Sequence, residues 1–156
     1  MFLTNENRKI YNIFCKVVLD LNKQNITPTI YGSLGLFLII GEDGKIDDID
    51  LLIIDSFDIY KTIAIKQGFS IDPDHPRELI GNSTYISFLD EKDIEILINK
   101  KLNKNLFSVD RIRFYNLDIM DYLAIYTNGL DNIHRKRKKE KDDLHKIELI
   151  KNYLNK

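Results

Sequence analysis

The sequence contains a single cysteine, and this scarcity limits the chemistry that the chain can carry out. Cys15 has no second thiol with which to form a disulfide within the chain. It lies among apolar residues at helical spacing, where a thiol behaves as a small hydrophobic side chain. A nucleophilic cysteine needs a histidine or a cation close by, and none is near it in the sequence. Cysteine chemistry is therefore not expected to carry the function.

An excess of charge of either sign is also missing. The 23 lysine and arginine residues nearly balance the 24 aspartate and glutamate residues, and the formal net charge is −1. With this balance the whole chain has no general attraction for nucleic acid or for an anionic membrane. Nucleic acid is not expected as a partner, although the basic run at residues 134–141 leaves a local phosphate contact open.

Long hydrophobic runs are absent as well. The longest uncharged apolar stretch, residues 32–41, is about half the length of a membrane-spanning helix. The amino terminus has no apolar segment of the kind that a signal peptide carries. These absences predict a cytoplasmic protein with no membrane partner.

The sequence does contain apolar residues, in successive segments that have either helical or strand spacing. With 156 residues, 44% of them hydrophobic, one packed domain is expected. The patterns predict helices at 6–23, 34–40, 57–67, 118–128 and 139–154, and strands at 29–31, 46–54 and 69–71. This order predicts an α/β (α+β) fold, a small mixed β-sheet flanked by helices. The predicted division is a core at 1–117 and a C-terminal helical segment at 118–156 packed on it.

Two further strands are predicted after a loop at residues 72–77. The segments 84–89 and 94–98 are apolar, and the four polar residues between them indicate a hairpin. On the second of these strands Glu95 stands between two isoleucines. An acidic side chain is therefore predicted in an apolar setting on this strand.

Two carboxylates share one face of the strand at 46–54. Asp48 and Asp50 are alternate residues, and alternate residues of a strand point to the same side. Two acids this close repel each other and lose solvation, a cost that a bound cation offsets. The alternative is a polar strand end with two solvated acids. Asp47 is predicted to point to the opposite face and to be dispensable for chemistry.

Gly32-Ser33 lies where the strand at 29–31 passes into the helix at 34–40. The N-terminus of a helix presents free N–H groups and the positive end of the helix dipole to anions. Glycine allows a tight turn and the close approach of a ligand to the backbone. The alternative is an ordinary serine cap. Next to a metal held by the paired acids, such a helix end can hold a triphosphate.

The histidines do not indicate a zinc site. The three of them have no spacing typical of zinc ligands: His75, His134 and His145. Asp72 and Asp74 lie beside prolines in the predicted loop, where acids commonly accept hydrogen bonds from the local backbone. These acids are therefore predicted to shape a turn.

The order of these features resembles the polymerase-beta-type nucleotidyltransferase superfamily in its minimal form. That pattern is a hydrophobic residue before Gly-Ser, a helix, an acid-hydrophobic-acid triplet and a later acid between hydrophobic residues. In this sequence the three motifs are Tyr31-Gly32-Ser33, Asp48-Ile49-Asp50 and Ile94-Glu95-Ile96. Within the superfamily the chain is most similar to the lincosamide and aminoglycoside antibiotic nucleotidyltransferases, whose C-terminal pattern matches Arg137-x-Lys139-Glu140-x-x-Asp143-Leu144.

The resemblance implies a reaction and assigns residues to it. The implied catalytic and metal-binding acids are Asp48, Asp50 and Glu95, with Asp93 as the alternative to Glu95. The implied nucleotide-binding residues are Gly32, Ser33 and Lys139. The reaction would move a nucleoside monophosphate from a nucleoside triphosphate to a hydroxyl of a small molecule such as an aminoglycoside or lincosamide, with two Mg²⁺ ions as cofactor.

Two other functions stay open from the sequence. The same chemistry could modify a protein or an RNA, as the enzymatic half of a toxin–antitoxin pair does. The chain could instead be a non-catalytic module that binds a nucleotide or a nucleic acid. A homodimer is left open by analogy, because small transferases of this type often build their sites between subunits.

Overall fold

The chain folds into one seven-stranded sheet with six helices in the part that the structure describes. The computed structural model describes residues 5–41, 44–54, 56–129 and 133–156, apart from the side chains of 133–141. The elements are, in order, α1 (Asn5–Lys23), β1 (Thr29–Tyr31), α2 (Gly32–Ile40), β2 (Asp48–Ile53), α3 (Phe57–Lys66), β3 (Ser70–Asp72), β4 (His75–Gly81), β5 (Thr84–Asp90), α4 (Glu91–Ile98), β6 (Lys104–Val109), β7 (Ile112–Leu117), α5 (Ile119–Gly129) and α6 (Ile133–Leu154). The predicted α/β class is confirmed.

The sheet is mixed, with β2 and β1 near its centre. The strand order is β3-β4-β5-β2-β1-β7-β6. The pairs β2–β5 and β1–β7 are parallel, whereas the other neighbouring strands run antiparallel. The two strands that carry the Gly-Ser turn and the paired acids are therefore direct neighbours.

Two amphipathic helices close the core as the sequence predicted. In α1, Phe14 is fully buried and meets Phe114 of β7 edge-on at 5.2 Å between ring centroids. In α3, Tyr60 packs against Phe88 of β5. Ser56 caps α3 by accepting a hydrogen bond from the backbone N–H of Asp58, as expected for a serine before a helix. Helical spacing of large apolar residues thus predicted these elements correctly.

The predicted hairpin strand at 94–98 is wrong, because residues 91–98 form helix α4. Asp90 precedes the helix, and two acids lie in its first turn, where the helix dipole favours negative charge. Its buried residues are at helical spacing: Glu91, Ile94 and Ile98. Ile96, which an alternating strand would bury together with Ile94, is 68% exposed.

The hairpins of the sheet are instead β3–β4, β4–β5 and β6–β7. The predicted loop at 72–77 is mostly strand, since β3 ends at Asp72 and β4 begins at His75. Two other turns place consecutive residues at positive φ: Asn82-Ser83 between β4 and β5, and Asp110-Arg111 between β6 and β7. Two consecutive residues with positive φ form a type I′ turn, which connects the two strands of a hairpin through a two-residue loop.

A buried polar network joins α2 to β7 and α5. The Asn116 side chain is fully buried, and its Nδ2 donates a hydrogen bond of 2.8 Å to the carbonyl of Gly35. Its Oδ1 accepts from the Tyr122 hydroxyl at 2.6 Å and from the backbone N–H of Leu117 at 2.8 Å. Each polar atom of this side chain is thus satisfied, and α2 is fixed against the sheet.

The last two helices, α5 and α6, share the buried core of the sheet. Tyr122 and Ile125 of α5 and Ile147 and Ile150 of α6 belong to the same buried cluster as the strands. The division at residue 117 stays a prediction. No helix in the described ranges is long and apolar enough to cross a membrane.

Candidate active site

The Gly-Ser turn lies directly at the N-terminus of α2. Gly32 has φ +75°, a left-handed conformation that glycine adopts with little strain. Tyr31 is the N-cap residue, and its side chain makes no capping hydrogen bond. No acidic side chain lies in the first turn of this nine-residue helix. The N–H groups of Gly32 and Ser33 therefore start a helix whose N-cap side chain makes no capping hydrogen bond, and the N-terminus of a helix favours an anion.

The paired acids lie beside this turn. Asp48 and Asp50 are half-buried on β2, whereas Ile49 and Leu51 between and after them are fully buried. This alternation confirms that the two acids share one face of the strand. A Cβ atom added to Gly32 would lie 3.0 Å from Cγ of Asp50, so the carboxyl group packs directly against the turn. Glycine is required here for space as well as for φ.

Asp50 belongs to a row of side chains that runs across the sheet from strand to strand. Tyr31 is opposite Asp50, Asp50 is opposite Ser87 of β5, and Ser87 is opposite Glu78 of β4. Residues that are directly opposite in a sheet point to the same face. The row therefore presents Tyr31, Asp50, Ser87 and Glu78 on the face that carries the paired acids.

Two cavities meet at Asp48 and Asp50. The first, called here the helix-side cavity, has a volume of about 460 Å³ and is lined by Gly32, Ser33 and both acids, with α6 on its far wall. The α6 residues on that wall are Asp142, His145 and Lys146. The sequence analysis assigned Lys139 of this helix to the site by resemblance, but it did not predict these three residues.

The second, called here the strand-side cavity, lies over β4 and β5. Its volume is about 340 Å³, and it shares Tyr31, Asp48 and Asp50 with the helix-side cavity. Ser87 and Glu78 also line it. Both volumes fall in the range of small-molecule sites. The paired acids thus stand between two spaces that could each hold a ligand.

Three side chains that could act as metal ligands lie close together beside the strand-side cavity. Asp72, His75 and Glu78 each bring one atom that could bind a metal ion within 4.8 Å of the others. Oδ1 of Asp72 also accepts a hydrogen bond of 3.0 Å from the backbone N–H of Asp74, which confirms the predicted turn role of this acid. The pairing of β3 with β4 brings these residues together, with an irregularity between Ile71 and Asp72.

The charge of Asp50 acts on a buried tyrosine in the neighbouring core. Burial raises the pKa of Tyr122 well above its usual range, and the neighbouring Tyr126 and the charge of Asp50 raise it further. Tyr122 therefore stays protonated and donates its hydroxyl hydrogen to Asn116. The same network that holds α2 thus lies within electrostatic reach of Asp50.

The third predicted acid lies elsewhere. Glu95 is on α4, where its Oε2 accepts a hydrogen bond of 2.9 Å from the backbone N–H of Leu102. Asp93 is exposed on the same helix. Among the described residues that line the two cavities, neither acid is found. The strand placement that supported both is wrong, because residues 91–98 are helical.

Two further residues were singled out from the sequence, Lys139 and Asp47. Lys139 lies among the residues whose side chains are outside the described part of the chain, so its nucleotide contact stays a prediction. Asp47 is exposed just before β2, and its Oδ1 lies 3.5 Å from Nζ of Lys45. Asp47 and Lys45 are both among the residues that line the helix-side cavity, and the dispensability of Asp47 stays a prediction.

The fold resembles that of a solved nucleotidyltransferase-like protein. Among solved structures the chain is similar to an antigenic nucleotidyltransferase-like protein from Paracoccidioides brasiliensis. The TM-score is 0.62 at 15% sequence identity, over 95% of this chain and 77% of that chain. At this identity the likeness shows the fold alone.

The sequence comparison gives the family. The chain is 32% identical over 149 residues to the uncharacterized protein YnaI of Bacillus subtilis (strain 168), across 91% of this chain and 96% of YnaI. The chain belongs to the same family as YnaI. No family model matches the sequence.

Gly32→Ala is expected to destabilise the fold more than Gly41→Ala. Both glycines have φ +75°, so each substitution costs about 1–2 kcal/mol of backbone strain. At Gly41 nothing lies within 4 Å of the added Cβ, whereas at Gly32 the Cβ would displace the Asp50 side chain. Urea unfolding should therefore give a free energy of unfolding lower by a further ~1–3 kcal/mol in Gly32→Ala. Equal losses in the two variants would contradict the packing of Asp50 on the turn.

Proposed function

We propose that the chain is a nucleotidyltransferase, which moves a nucleoside monophosphate from a nucleoside triphosphate to a hydroxyl group. One observation carries the proposal. The helix N-terminus at Gly32-Ser33 lies against a pair of acids on one strand face, with the Asp50 side chain packed on Gly32. Phosphoryl-type transfer needs both an anion cradle and carboxylates that hold a divalent cation.

The nucleotide is assigned to the helix-side cavity. The backbone N–H groups at Gly32 and Ser33 would bind the β- and γ-phosphates, because the helix dipole favours anions there. Lys146 lines the same cavity from α6 and adds positive charge on the opposite wall. Lys139 remains a proposed contact from the same helix.

The donor set of the paired acids fits Mg²⁺. Asp48 and Asp50 offer carboxylate oxygens, which hard divalent cations prefer. Two half-buried acids on one strand face favour a bound cation, since it relieves their repulsion. When bound, Mg²⁺ supplies the positive charge that neutralises the phosphates in the transition state. Asp48 and Asp50 would hold it beside the Gly32-Ser33 turn.

The acceptor is assigned to the strand-side cavity, and a small molecule is the proposed class. The cavity volume of about 340 Å³ suits part of a small polar ligand. Asp74 and Glu78 border it, so an acceptor with amino groups is favoured over an anionic one. Aminoglycosides meet this condition, and lincosamides carry one amine.

The proposal is tested by incubating the purified chain with each of the four α-³²P-labelled nucleoside triphosphates, Mg²⁺ and a panel of aminoglycosides and lincosamides. A labelled acceptor together with pyrophosphate is the expected result, and chelation of Mg²⁺ should abolish it. Label on a protein or an RNA instead would keep the chemistry and change the acceptor class. No pyrophosphate release with any nucleotide would overturn the proposal.

A second candidate is a nucleotide-binding protein that does not transfer. It is favoured because Glu95, the predicted third acid, is not among the described residues that line either cavity, and the residue opposite Asp50 on the parallel neighbouring strand is the neutral Ser87. A serine hydroxyl brings no negative charge to Mg²⁺ and is not a base at neutral pH. Mg²⁺-dependent nucleotide binding without pyrophosphate release would favour this candidate.

A further inference from the structure

The row across the sheet contains one acid that the proposed reaction has not yet used. Glu78 of β4 is opposite Ser87, which is opposite Asp50. Neighbouring strands lie about 4.8 Å apart, so the backbones of Asp50 and Glu78 are about 10 Å apart, with only a serine between them. The two carboxylates therefore face each other across the floor of the strand-side cavity.

We propose that Glu78 is the base that takes the proton from the acceptor hydroxyl, acting from the far side of Ser87 relative to Asp50. This inference rests on the proposed function. The acceptor would lie above Ser87, whose small side chain leaves the room that a carboxylate there would fill. Its hydroxyl would then have the nucleotide at Asp48 and Asp50 on one side and Glu78 on the other.

The proton and bond changes balance with these residues. The acceptor oxygen forms a bond to the α-phosphorus while the bond from that phosphorus to the bridging oxygen of the β-phosphate breaks. Pyrophosphate leaves with the electron pair of that bond, and the Glu78 carboxylate takes the hydroxyl proton. Donor atoms of His75 and Asp72 lie within 4.8 Å of the Glu78 carboxylate, and His75 is exposed. The proton then leaves Glu78 for water, which reaches this side of the cavity at the exposed His75.

The surroundings of Glu78 agree with a functional role. It is half-buried in a strand whose neighbouring Leu79 is fully buried on the opposite face. The cationic side chain next to it in sequence, Arg77, lies 3.3 Å from Asp90 and 4.8 Å from the centre of the Phe57 ring. Arg77 is thus engaged at Asp90 and Phe57.

The test uses Glu78→Gln, which keeps the shape and removes the base. Pyrophosphate release from the labelled nucleotides counts transfer to every acceptor in the panel and to water. We expect Glu78→Gln to lower the release rate about 100-fold or more, a typical contribution of a general base. The Kd of the Mg²⁺-nucleotide complex should stay within about twofold, because Glu78 lies on the acceptor side. Glu6→Gln, exposed at the start of α1 and not among the described residues that line either cavity, is the matched control and should keep the wild-type rate.

A rescue variant separates the catalytic role from a structural one. Ser87→Asp in the Glu78→Gln background moves a carboxylate to the neighbouring strand, and it should raise the rate at least tenfold above the single variant. Circular dichroism and the urea midpoint confirm that each variant folds. A wild-type rate in Glu78→Gln overturns the inference and leaves the proposed function standing. Joint loss of nucleotide binding and transfer without rescue marks Glu78 as structural and also overturns it. No release by the wild-type chain overturns the proposed function, and this inference with it.

Discussion

Replacing Asp50 by asparagine should lower the rate of nucleotide transfer by about 1,000-fold while the chain stays folded. Removing one anionic ligand weakens the binding of a divalent cation, whose charge stabilisation in a transfer reaction is worth several kcal/mol. A loss of about 4 kcal/mol corresponds to roughly three orders of magnitude in rate. The side chain keeps its size beside Gly32, so the packing there is preserved. Pyrophosphate release at saturating nucleotide and Mg²⁺ measures the effect.

Asp47→Asn is the matched control for this experiment. Asp47 is three residues before Asp50, carries the same charge and is exposed, with its carboxylate 3.5 Å from Lys45 at the surface. We expect its rate to stay within about twofold of wild type, since a surface ion pair contributes little. Equal losses in the two variants would show a general effect of net charge and would contradict the assignment of Asp50. Full activity of Asp50→Asn would contradict it as well.

Replacing Asn116 by alanine should lower the free energy of unfolding by about 3 kcal/mol. The substitution leaves the Tyr122 hydroxyl and the Gly35 carbonyl buried without their partner and opens a cavity between α2 and α5. Each unsatisfied buried group costs about 1–3 kcal/mol. Because α2 carries the Gly32-Ser33 turn, nucleotide binding should weaken together with the stability. Urea unfolding measures the loss as a lower midpoint at an unchanged m-value.

Asn105→Ala provides the comparison for Asn116. Asn105 is directly opposite Asn116 on β6, but its side chain is exposed. An exposed substitution of this kind usually changes the free energy of unfolding by about 0.5 kcal/mol or less. If Asn116→Ala costs no more than Asn105→Ala, the buried network does not hold α2 in place.

Local patterns in the sequence predicted the centre of the fold correctly. Helix α1 and strand β2 carry apolar residues at clear helical and strand spacings, so their type and the shared face of Asp48 and Asp50 could be predicted without tertiary information. Helix α4 was predicted wrongly, because Ile94, Ile96 and Ile98 alternate like a strand and only the buried pair follows helical spacing. Two features of the sequence indicated a helix: the acids at its start, and an asparagine, Asn99, directly after its last apolar residue.

The acceptor side of the site could not be predicted from local patterns. Which residues of β4 and β5 stand opposite Asp50 depends on strand register, and a shift of one residue would turn Ser87 and Glu78 to the other face. The register becomes visible only when the strands are paired. The contribution of Lys146 likewise depends on how α6 packs against the sheet, far from the acids in sequence.

Equilibrium binding of nucleotides tests the central claim most directly. Each of the four α,β-methylene nucleoside triphosphates, which cannot release pyrophosphate, is titrated into the chain by calorimetry with and without Mg²⁺. At least one should bind about tenfold more tightly with Mg²⁺, and an Asp48→Asn/Asp50→Asn double variant should lose this Mg²⁺ dependence while Asp47→Asn keeps it. Binding that is identical with and without Mg²⁺, or unchanged in the double variant, would contradict a metal-dependent nucleotide site at Asp48, Asp50 and the Gly32-Ser33 turn.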